Sequence, residues 1–278
     1  MFEKALVALD LSPAEQPILA CLPALRQWGV RHLLLTHVIE FGYTHSGALA
    51  HRQDYVDWLE KCAEPLRAAG LNVEVEVRTS GVPADEILAV AAQRDASLIV
   101  IGSRGQNLLS KLFLGSVARD VIRKTTVPLL LEWIEPSAAA TQVRCEAVCT
   151  DTLRHILFAT DFSQHAAAAE KAVLELAPRA QQVECVHVLA PGGTTSGTSA
   201  QAAAQVDMAK QLEALGSKAT SRLLHGKASN EIARYAQARD ASLIVVGKHG
   251  QNWAASRLIG STAASLCEIA GRPVLMVP

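Results

Sequence analysis

Residues 94–100 read Arg-Asp-Ala-Ser-Leu-Ile-Val, and residues 239–245 read the same seven amino acids, 145 positions later. At that spacing Glu86-Ile87 falls on Glu231-Ile232, and the register continues without a gap to the end of the repeat. Self-similarity at one fixed spacing is the signature of a repeated structural unit, and chance resemblance does not keep one register over such a length. The chain therefore contains two copies of one domain.

The start of each copy carries a second match. Residues 8–12 (Ala-Leu-Asp-Leu-Ser) correspond to residues 159–163 (Ala-Thr-Asp-Phe-Ser) at a spacing of 151, so the first copy holds six extra residues, which we place between Phe41 and His51. We predict one domain over 1–132 and a second over 153–278. Between them lies a predicted linker, 133–152, in which a proline and a Ser-Ala-Ala-Ala-Thr stretch show no strand pattern.

Short apolar strands alternate with helices in each copy. We predict strands near 4–9, 32–38, 72–77, 97–101 and 128–132, helices near 13–28, 52–69, 83–94 and 115–124, and second-copy strands near 154–159, 182–188, 218–223, 242–246 and 273–277. Runs such as Leu-Ile-Val-Ile lack polar alternation, as expected of central parallel strands covered on both faces. The predicted fold class is α/β: two tandem doubly wound domains, each a parallel sheet with helices on both faces.

Composition narrows the classes of protein that fit. The 278 residues are 50% hydrophobic, and 26 basic against 27 acidic residues give a formal net charge of −1. No dense run of Lys or Arg, no signal peptide and no apolar stretch of the ~18–20 residues that span a bilayer are seen, so we expect neither nucleic-acid binding nor membrane insertion. The six scattered cysteines favour buried free thiols in a reducing compartment, and we predict a cytoplasmic protein without a metal site.

A glycine-rich loop follows the fourth strand of each copy. The first copy reads Gly102-Ser103-Arg104-Gly105, nine residues and Gly115-Ser116; the second reads Gly247-Lys248-His249-Gly250, nine residues and Gly260-Ser261. Glycines let the backbone approach a ligand closely and adopt positive φ, where a Cβ would clash. The Gly-Ser pair opens the next helix, whose free N–H groups and positive dipole end favour a phosphate, and the serine hydroxyl is expected to cap the helix or bind that phosphate.

An aspartate at the end of strand one completes the pattern. In open parallel sheets, ligands bind beyond the carboxyl ends of the strands, where the strand order reverses. Asp10 in the first copy and Asp161 in the second are placed there to accept hydrogen bonds from ribose hydroxyls. Turn-forming glycines and helix-capping serines are the alternative explanation. The full spacing G-x2-G-x9-G-S occurs twice in register, which favours a phosphate site over that alternative.

The chain resembles a tandem universal stress protein of the ATP-binding type. Both copies carry that family's G-x2-G-x9-G-(S/T) pattern and its aspartate after the first strand, and the resemblance covers nearly the whole chain. It implies a five-stranded parallel sheet in the order 3-2-1-4-5 with ATP or AMP between strands one and four, and Mg²⁺ beside a bound triphosphate. Because family members pair their domains and commonly their chains, it also implies an intrachain domain pair, a homodimer and a protein partner of unknown identity.

The resemblance also implies which residues hold the nucleotide. Main chain near the ends of strands one and two would contact adenine, while loop and helix residues would hold ribose and phosphates. In the first copy these are Ala8, Leu9, Asp10, Val38, Gly102, Gly105, Gly115, Ser116 and Val117. In the second copy they are Ala159, Thr160, Asp161, Val188, Gly247, Gly250, Gly260, Ser261 and Thr262.

Side chains between the glycines differ between the copies. Ser103 and Arg104 in the first copy stand where Lys248 and His249 stand in the second. Either pair is a candidate to reach a phosphate, but charged residues of a loop are ordinarily solvated, and we favour a solvated loop as their main role. Late in strand two, both copies carry a histidine for which a hydrogen-bonded structural role is favoured over that of a catalytic base, since no nucleophile lies nearby in sequence.

Three functions are compatible with these residues. We favour a regulatory stress-response module that binds ATP or AMP at two sites per chain. The alternative is an enzyme, a slow ATPase or an adenylating protein, although the P-loop motif G-x4-G-K-(S/T) is absent and no catalytic residue is recognised. A dimerisation scaffold that binds no nucleotide is the third, and such family members typically lack the complete glycine pattern.

Overall fold

A computed structural model describes residues 1–40, 52–104, 114–137, 144–148, 151–190, 197–216, 219–251 and 258–278. The chain forms two compact units, Met1–Thr150 (unit 1) and Asp151–Pro278 (unit 2). The insertion predicted between Phe41 and His51 lies outside the described residues.

Unit 1 alternates parallel strands with helices. In chain order it contains β1 (Lys4–Ala8), α1 (Glu15–Cys21), β2 (His32–Glu40), α2 (Arg52–Ala68), β3 (Asn72–Ser80), α3 (Pro83–Gln93), β4 (Leu98–Gly102), α4 (Ser116–Lys124), β5 (Leu129–Glu132), β6 (Ile134–Ser137) and β7 (Arg144–Ala147). β1 pairs in parallel with β2 and with β4, β2 pairs with β3, and β4 pairs with β5. The strands therefore follow the order β3-β2-β1-β4-β5, with β1 and β4 flanking the point where the order reverses.

Unit 2 repeats this arrangement. It contains β8 (His155–Ala159), α5 (Ala167–Leu176), β9 (Gln182–Leu189), α6 (Gly197–Leu215), β10 (Ala219–His225), α7 (Ala228–Ala238), β11 (Leu243–Gly247), α8 (Ser261–Ile269) and β12 (Val274–Val277). Parallel pairing gives the order β10-β9-β8-β11-β12. The predicted α/β class is confirmed in both units.

Burial explains why the central strands read as unbroken apolar runs. Every residue of β4, β8 and β11 is buried, as expected of central strands in a parallel sheet covered on both faces. Each Leu, Ile or Val side chain removed from water contributes about 1.5–3 kcal/mol, so these strands form the core that positions the loops at their carboxyl ends. Within the described part of the chain, no helix combines the length and the apolar character needed to cross a bilayer.

The helix predicted over 13–28 is divided in two. α1 ends at Cys21, and a 3₁₀ helix continues over Leu22–Trp28 with Pro23 in its first turn. Proline lacks the N–H that an α-helix would need at this position, so the chain tightens into i→i+3 bonding. Gly29, at φ 99°, then ends the segment in the left-handed region that glycine adopts without steric cost.

The predicted linker is more ordered than its sequence indicates. We expected no strand in 133–152, but β6 and β7 form an antiparallel pair in which Ile134 faces Ala147. Val148 also donates its N–H to Trp133 O at 3.0 Å. The prediction was wrong because each strand has four residues and β6 contains Pro136, which is tolerated on the free edge of a two-stranded ribbon but removes the usual alternation signal.

Candidate functional site

A cavity of about 410 Å³ opens at the carboxyl ends of the strands of unit 2. It lies between the neighbouring strands β8 and β11, where the strand order reverses, because β8 is followed in the sheet by β9 on one side and β11 by β12 on the other. Doubly wound sheets bind ligands at this position. Every residue predicted for the second site lines this cavity: Ala159, Thr160, Asp161, Val188, Gly247, Lys248, His249, Gly250, Gly260, Ser261 and Thr262. The structure thus brings together residues that are up to a hundred positions apart in sequence, and their role in binding stays a prediction.

Asp161 lies between the end of β8 and the glycine loop. Its Oδ1 accepts the N–H of Ser163 at 3.1 Å, and its Oδ2 accepts the N–H of Gln251 at 2.7 Å. The Gln251 side chain also donates to Asp161 O at 2.8 Å. We call these two contacts the Gln251 clasp. They fix the carboxylate against the loop that follows β11, and sequence reasoning did not identify Gln251 as a residue of the site.

Close packing, rather than positive φ, explains the glycines of unit 2. Gly247, Gly250 and Gly260 are not among the residues with positive φ, so the positive φ expected of the loop glycines is wrong for Gly247 and Gly250. A Cβ on Gly250 would collide with Asp161 Oδ2, and a Cβ on Gly260 would lie 3.2 Å from Lys248 O. These positions need glycine because the loop folds tightly onto β8 and α8 and leaves no room for a side chain.

The first turn of α8 presents unpaired N–H groups to the cavity. Gly260 is the N-cap residue; its N–H donates to Lys248 O at 2.9 Å, and its carbonyl accepts the N–H of Ala264 at 3.0 Å. The N–H groups of the first helical residues, Ser261 and Thr262 among them, have no partner within the helix. No side chain caps α8, so the serine does not have the predicted capping role, and the helix end is suited to an anion.

Lys248 does not have the solvated position in the loop that we favoured from the sequence. Lys248 is only 4% exposed, and this burial lowers the pKa of its ammonium to about 8. His249 is half-buried, with Nε2 3.3 Å from Leu258 O. Loss of hydration lowers the pKa of His249, the Leu258 carbonyl raises it, and the charges of Lys248 and His165 lower it further. The prediction was wrong because the tight loop brings Lys248 under the surface.

The strand-two histidines have the predicted structural role. His37 Nδ1 lies 2.8 Å from Leu9 O, and His187 Nδ1 lies 2.8 Å from Thr160 O. Since a carbonyl only accepts hydrogen bonds, Nδ1 is the donor in both rings, and each bond joins the end of the first strand to the second.

In unit 1, the described part of the site repeats the backbone of unit 2. Asp10 Oδ1 accepts the N–H of Ser12 at 3.2 Å, and Gly115 donates its N–H to Ser103 O at 3.2 Å ahead of α4. The other predicted residues lie at the same edge of the sheet: Ala8 ends β1, Leu9 follows it, Val38 lies in β2, Gly102 ends β4, Arg104 follows Ser103, and Ser116 and Val117 begin α4. Gly105 lies outside the described residues.

Close packing explains one of the two described glycines of the unit 1 site but not the other. Neither Gly102 nor Gly115 has positive φ, so the expectation of positive φ is wrong for Gly102 as well. A Cβ on Gly102 would lie 2.8 Å from the Ile18 side chain, whereas a Cβ on Gly115 would meet no atom of the described residues within 4 Å. The Ser103 hydroxyl contacts the protein itself. Ser103 is buried, and its Oγ accepts the N–H of Ile134 at 3.1 Å. α4, like α8, has no side-chain cap.

An aromatic cluster covers the strand-two histidine of unit 1. His37 stacks on Tyr55 with ring centroids 4.8 Å apart, and Trp58 meets it edge-on at 5.4 Å. Buried Glu15 accepts the Trp58 Nε1–H at 3.0 Å and the Cys62 thiol at 3.2 Å. His37 is consequently 8% exposed, while His187 is only half-buried and lines the cavity of unit 2. No repeat or motif in the sequence marks this cluster.

The described cysteines have the predicted state. Cys21, Cys62, Cys185 and Cys267 are buried free thiols, and burial raises the pKa of the last three to about 12. Among the residues that the structure describes, no group of three or more His, Cys, Asp or Glu side chains is arranged to hold a metal ion.

The matches to known proteins divide the chain into the same two halves as the internal repeat. The model of the Universal stress protein family matches twice, over residues 1–131 and 152–278. The universal stress protein YxiE of Bacillus subtilis is 29% identical over 147 residues, which are 47% of this chain and 99% of that protein. A universal stress protein of Mycolicibacterium smegmatis is 23% identical over 218 residues, covering 75% of this chain and 69% of that protein.

A solved structure shows the same fold over the full length. The crystal structure of a universal stress protein from Archaeoglobus fulgidus has a TM-score of 0.74 to this chain at 21% identity. The superposition covers 99% of this chain and 97% of that chain. Both halves of the present chain are therefore accounted for by one known domain architecture.

Proposed function

The chain belongs to the universal stress protein family, and we propose that it is a member that binds adenine nucleotide. ATP or AMP would occupy the cavity of unit 2, with a second site at the corresponding position of unit 1. The observation that carries this proposal is the convergence of every predicted second-site residue on one cavity of about 410 Å³. Ligand pockets for molecules of this size are about 300–1,000 Å³.

The chemistry of the unit 2 cavity fits the parts of a nucleotide. The Asp161 carboxylate, held by Ser163 and Gln251, is an acceptor for ribose hydroxyls. The N–H groups at the start of α8 and the nearby cationic groups are donors for phosphate oxygens. A triphosphate would bring Mg²⁺ with it, bound chiefly through its phosphate oxygens.

The second proposed site, in unit 1, is supported by its backbone. The Asp10–Ser12 hydrogen bond and the Gly115–Ser103 hydrogen bond reproduce contacts of unit 2, and α4 also begins without a cap. The aromatic cluster over His37 changes the surroundings of the base position. We therefore expect the unit 1 site to bind nucleotide more weakly than the unit 2 site.

We further propose a regulatory role in the cytoplasm, in which nucleotide occupancy is read by a protein partner. Four described free thiols are compatible with a reducing compartment.

Calorimetric titration of the full chain with ATP and with AMP tests the proposal. We expect two sites of unequal affinity in the unaltered protein. Asp161→Ala should weaken the tighter site about tenfold or more, while Asp10→Ala should leave that site unchanged and affect the weaker one. Thermal unfolding of both variants controls for loss of fold. Absence of any binding at millimolar ATP or AMP would overturn the proposal.

A further inference from the structure

A histidine of β9 lines one side of the unit 2 cavity. His187 is among the lining residues, and its Nδ1 lies 2.8 Å from Thr160 O. A carbonyl only accepts hydrogen bonds, so Nδ1 carries the ring proton, and in the neutral imidazole the other nitrogen, Nε2, is an acceptor. The Phe162 ring packs against the imidazole with ring centroids 4.9 Å apart. The hydrogen bond and the ring contact together hold the imidazole in one orientation.

The Nε2 atom of His187 is open to a ligand. His187 is half-buried, and within the described residues Thr160 O is the hydrogen-bond partner of its ring. Nε2 is not among the buried polar atoms of the described chain that lack a partner, so solvent reaches it. The ring therefore presents a hydrogen-bond acceptor on a residue that lines the cavity.

The helix over β9 leaves this histidine without an aromatic cover. α6 packs against β9 as α2 packs against β2, and a spacing of 146 aligns the glycines at φ 85° that follow the two helices. At this spacing Ala204 stands where unit 1 has Trp58. Exposed Gln201 stands where unit 1 has Tyr55. In unit 1 those two aromatic rings contact His37 and bury it.

The strand order places His187 away from the proposed phosphate position. β9 pairs with one side of β8, and β11 pairs with the other. The glycine loop and α8 follow β11, whereas apolar Val188 and Leu189 line the cavity beside His187. Small-molecule pockets combine such apolar walls with a few polar groups that fix the orientation of the ligand. A base bound on the β9 side of the cavity would have Nε2 as a polar neighbour.

We propose that His187 makes the unit 2 site selective for purines that carry an amino group at C6, and against purines that carry a carbonyl there. This inference rests on the proposed function. Adenine presents an N–H donor at this position, whereas guanine presents an oxygen acceptor. Nε2 accepts a hydrogen bond from the amino group. Opposite a carbonyl, two acceptors face each other without a proton between them, and each loses its hydrogen bond to water.

The Thr160 carbonyl prevents the ring from adapting to both kinds of base. To donate a hydrogen bond from Nε2, the neutral ring of His187 would have to lose its proton at Nδ1, and Thr160 O would then face a second acceptor. The partner of one ring nitrogen sets the protonation of the other. The main chain of β8 and its following residues thus determines which base the side chain accepts.

The test titrates the full chain with three triphosphates that differ at C6 of the base. ATP has an amino group there, purine riboside triphosphate has hydrogen, and ITP has a carbonyl. At the tighter site we expect purine riboside triphosphate to bind about tenfold more weakly than ATP, the size of one hydrogen bond. ITP should bind about 30-fold more weakly than ATP, because it also leaves two acceptors unpaired.

His187→Asn is the matched variant. The asparagine amide can still donate to Thr160 O but places no atom where Nε2 stands. We expect ATP to weaken about tenfold and purine riboside triphosphate to keep its affinity, so that the two bind alike. His37→Asn is the control, since His37 is covered in unit 1; the preference for ATP at the tighter site should persist. Thermal unfolding checks that both variants keep their fold.

A second measurement needs no variant. The imidazole ¹⁵N shift of His187 Nε2 in the unaltered chain should change toward that of a hydrogen-bonded acceptor with ATP and not with purine riboside triphosphate. Equal shifts with both ligands, equal affinity for all three, or a preference for ATP that survives in His187→Asn overturns the inference and leaves the proposed function standing. Failure of all three ligands to bind would instead overturn the proposed function.

Discussion

Unit 1 and unit 2 share the backbone of one candidate site and differ in several of the side chains that surround it, such as Ser103 against Lys248 and Arg104 against His249. Each has an aspartate that accepts an N–H two residues later, and a residue in between at φ 55° or 58°. Each also joins an uncapped helix to the end of a central strand. Duplication has thus kept the main-chain features of the proposed phosphate site, while some of the side chains around it have diverged.

The divergence follows a pattern in packing. Unit 1 places large side chains, Tyr55 and Trp58, against the strand-two histidine and a buried carboxylate, Glu15, beneath them. In unit 2 the position corresponding to Glu15 is Ala166, which lines the cavity. The main-chain geometry of the site is therefore the same in both units, while the space beside it is filled by large side chains in unit 1 and is part of a cavity in unit 2. The following experiments test how far this contrast between the units extends.

The largest effect should come from the glycine that touches the strand-one aspartate. Gly250→Val inserts a branched side chain where even a Cβ would collide with Asp161 Oδ2, so the Gln251 clasp cannot form. We expect ATP affinity at the unit 2 site to fall at least about 100-fold, or about 2.7 kcal/mol. Calorimetric titration measures it. If the tighter site keeps its affinity within threefold, the close approach of loop and carboxylate is not needed for binding.

A buried carboxyl at the end of β5 provides the second contrast. Glu132 is 1% exposed, and burial raises its pKa to about 8. The Cys21 thiol is a weak donor toward it, and no N–H or O–H group in the described chain reaches either oxygen. The corresponding residue of unit 2 is Val277, also buried.

Glu132 should therefore make the stability of unit 1 depend on pH. Its folded pKa lies above the ordinary value, so the folded state holds the proton more tightly, and stability falls as pH rises from about 4.5 toward 8. The slope is about 1.4 kcal/mol per pH unit, or about 2 kcal/mol between pH 5.5 and 7. Glu132→Val, which copies unit 2, should remove this component from urea unfolding curves. Exposed Glu64→Gln is the control; equal pH slopes for both variants would refute the assignment.

The smallest expected effect is a difference in the free energy of unfolding between alanine substitutions at the two N-cap glycines. Gly115 and Gly260 have similar backbone angles, φ −56° and −70°, but among the residues that the structure describes only Gly260 has a neighbour, Lys248 O, close to the place of a Cβ. Gly260→Ala should lower the free energy of unfolding by about 1 kcal/mol. Gly115→Ala should change it by a few tenths of a kcal/mol at most, through the unfolded chain. Thermal unfolding of the two variants measures this difference. Equal losses of stability in both would contradict the difference in packing.

The sequence predicted the fold, and it predicted which residues the fold brings together, because both depend on periodicity and spacing; that these residues bind nucleotide stays a prediction. β4 and β11 were predicted within a residue from their apolar runs, and the residues of the second site were found together at one edge of the sheet. These features are local or repeat at a fixed interval, so a single chain displays them.

Other features depend on contacts that no local pattern encodes. The burial of Lys248 follows from how tightly its loop folds, and Gly250 of that loop is required by Asp161, which is distant from it in sequence. The bond between Ser103 and Ile134 joins the site to a strand pair that we expected to be unstructured. Tertiary packing decides all three, which is why the positive φ expected of the loop glycines was wrong for those that the structure describes.

The Gln251 clasp has a consequence for the rates of binding. Because Gln251 already holds Asp161 through two hydrogen bonds, the chain entropy lost in ordering this part of the crevice is lost when the protein folds. A ligand then meets a preorganised wall, and its association is governed by diffusion and desolvation rather than by loop closure. By microscopic reversibility, a ligand that enters without loop closure also leaves without it, so its residence time in the proposed site would be set by its own contacts and not by opening of the clasp.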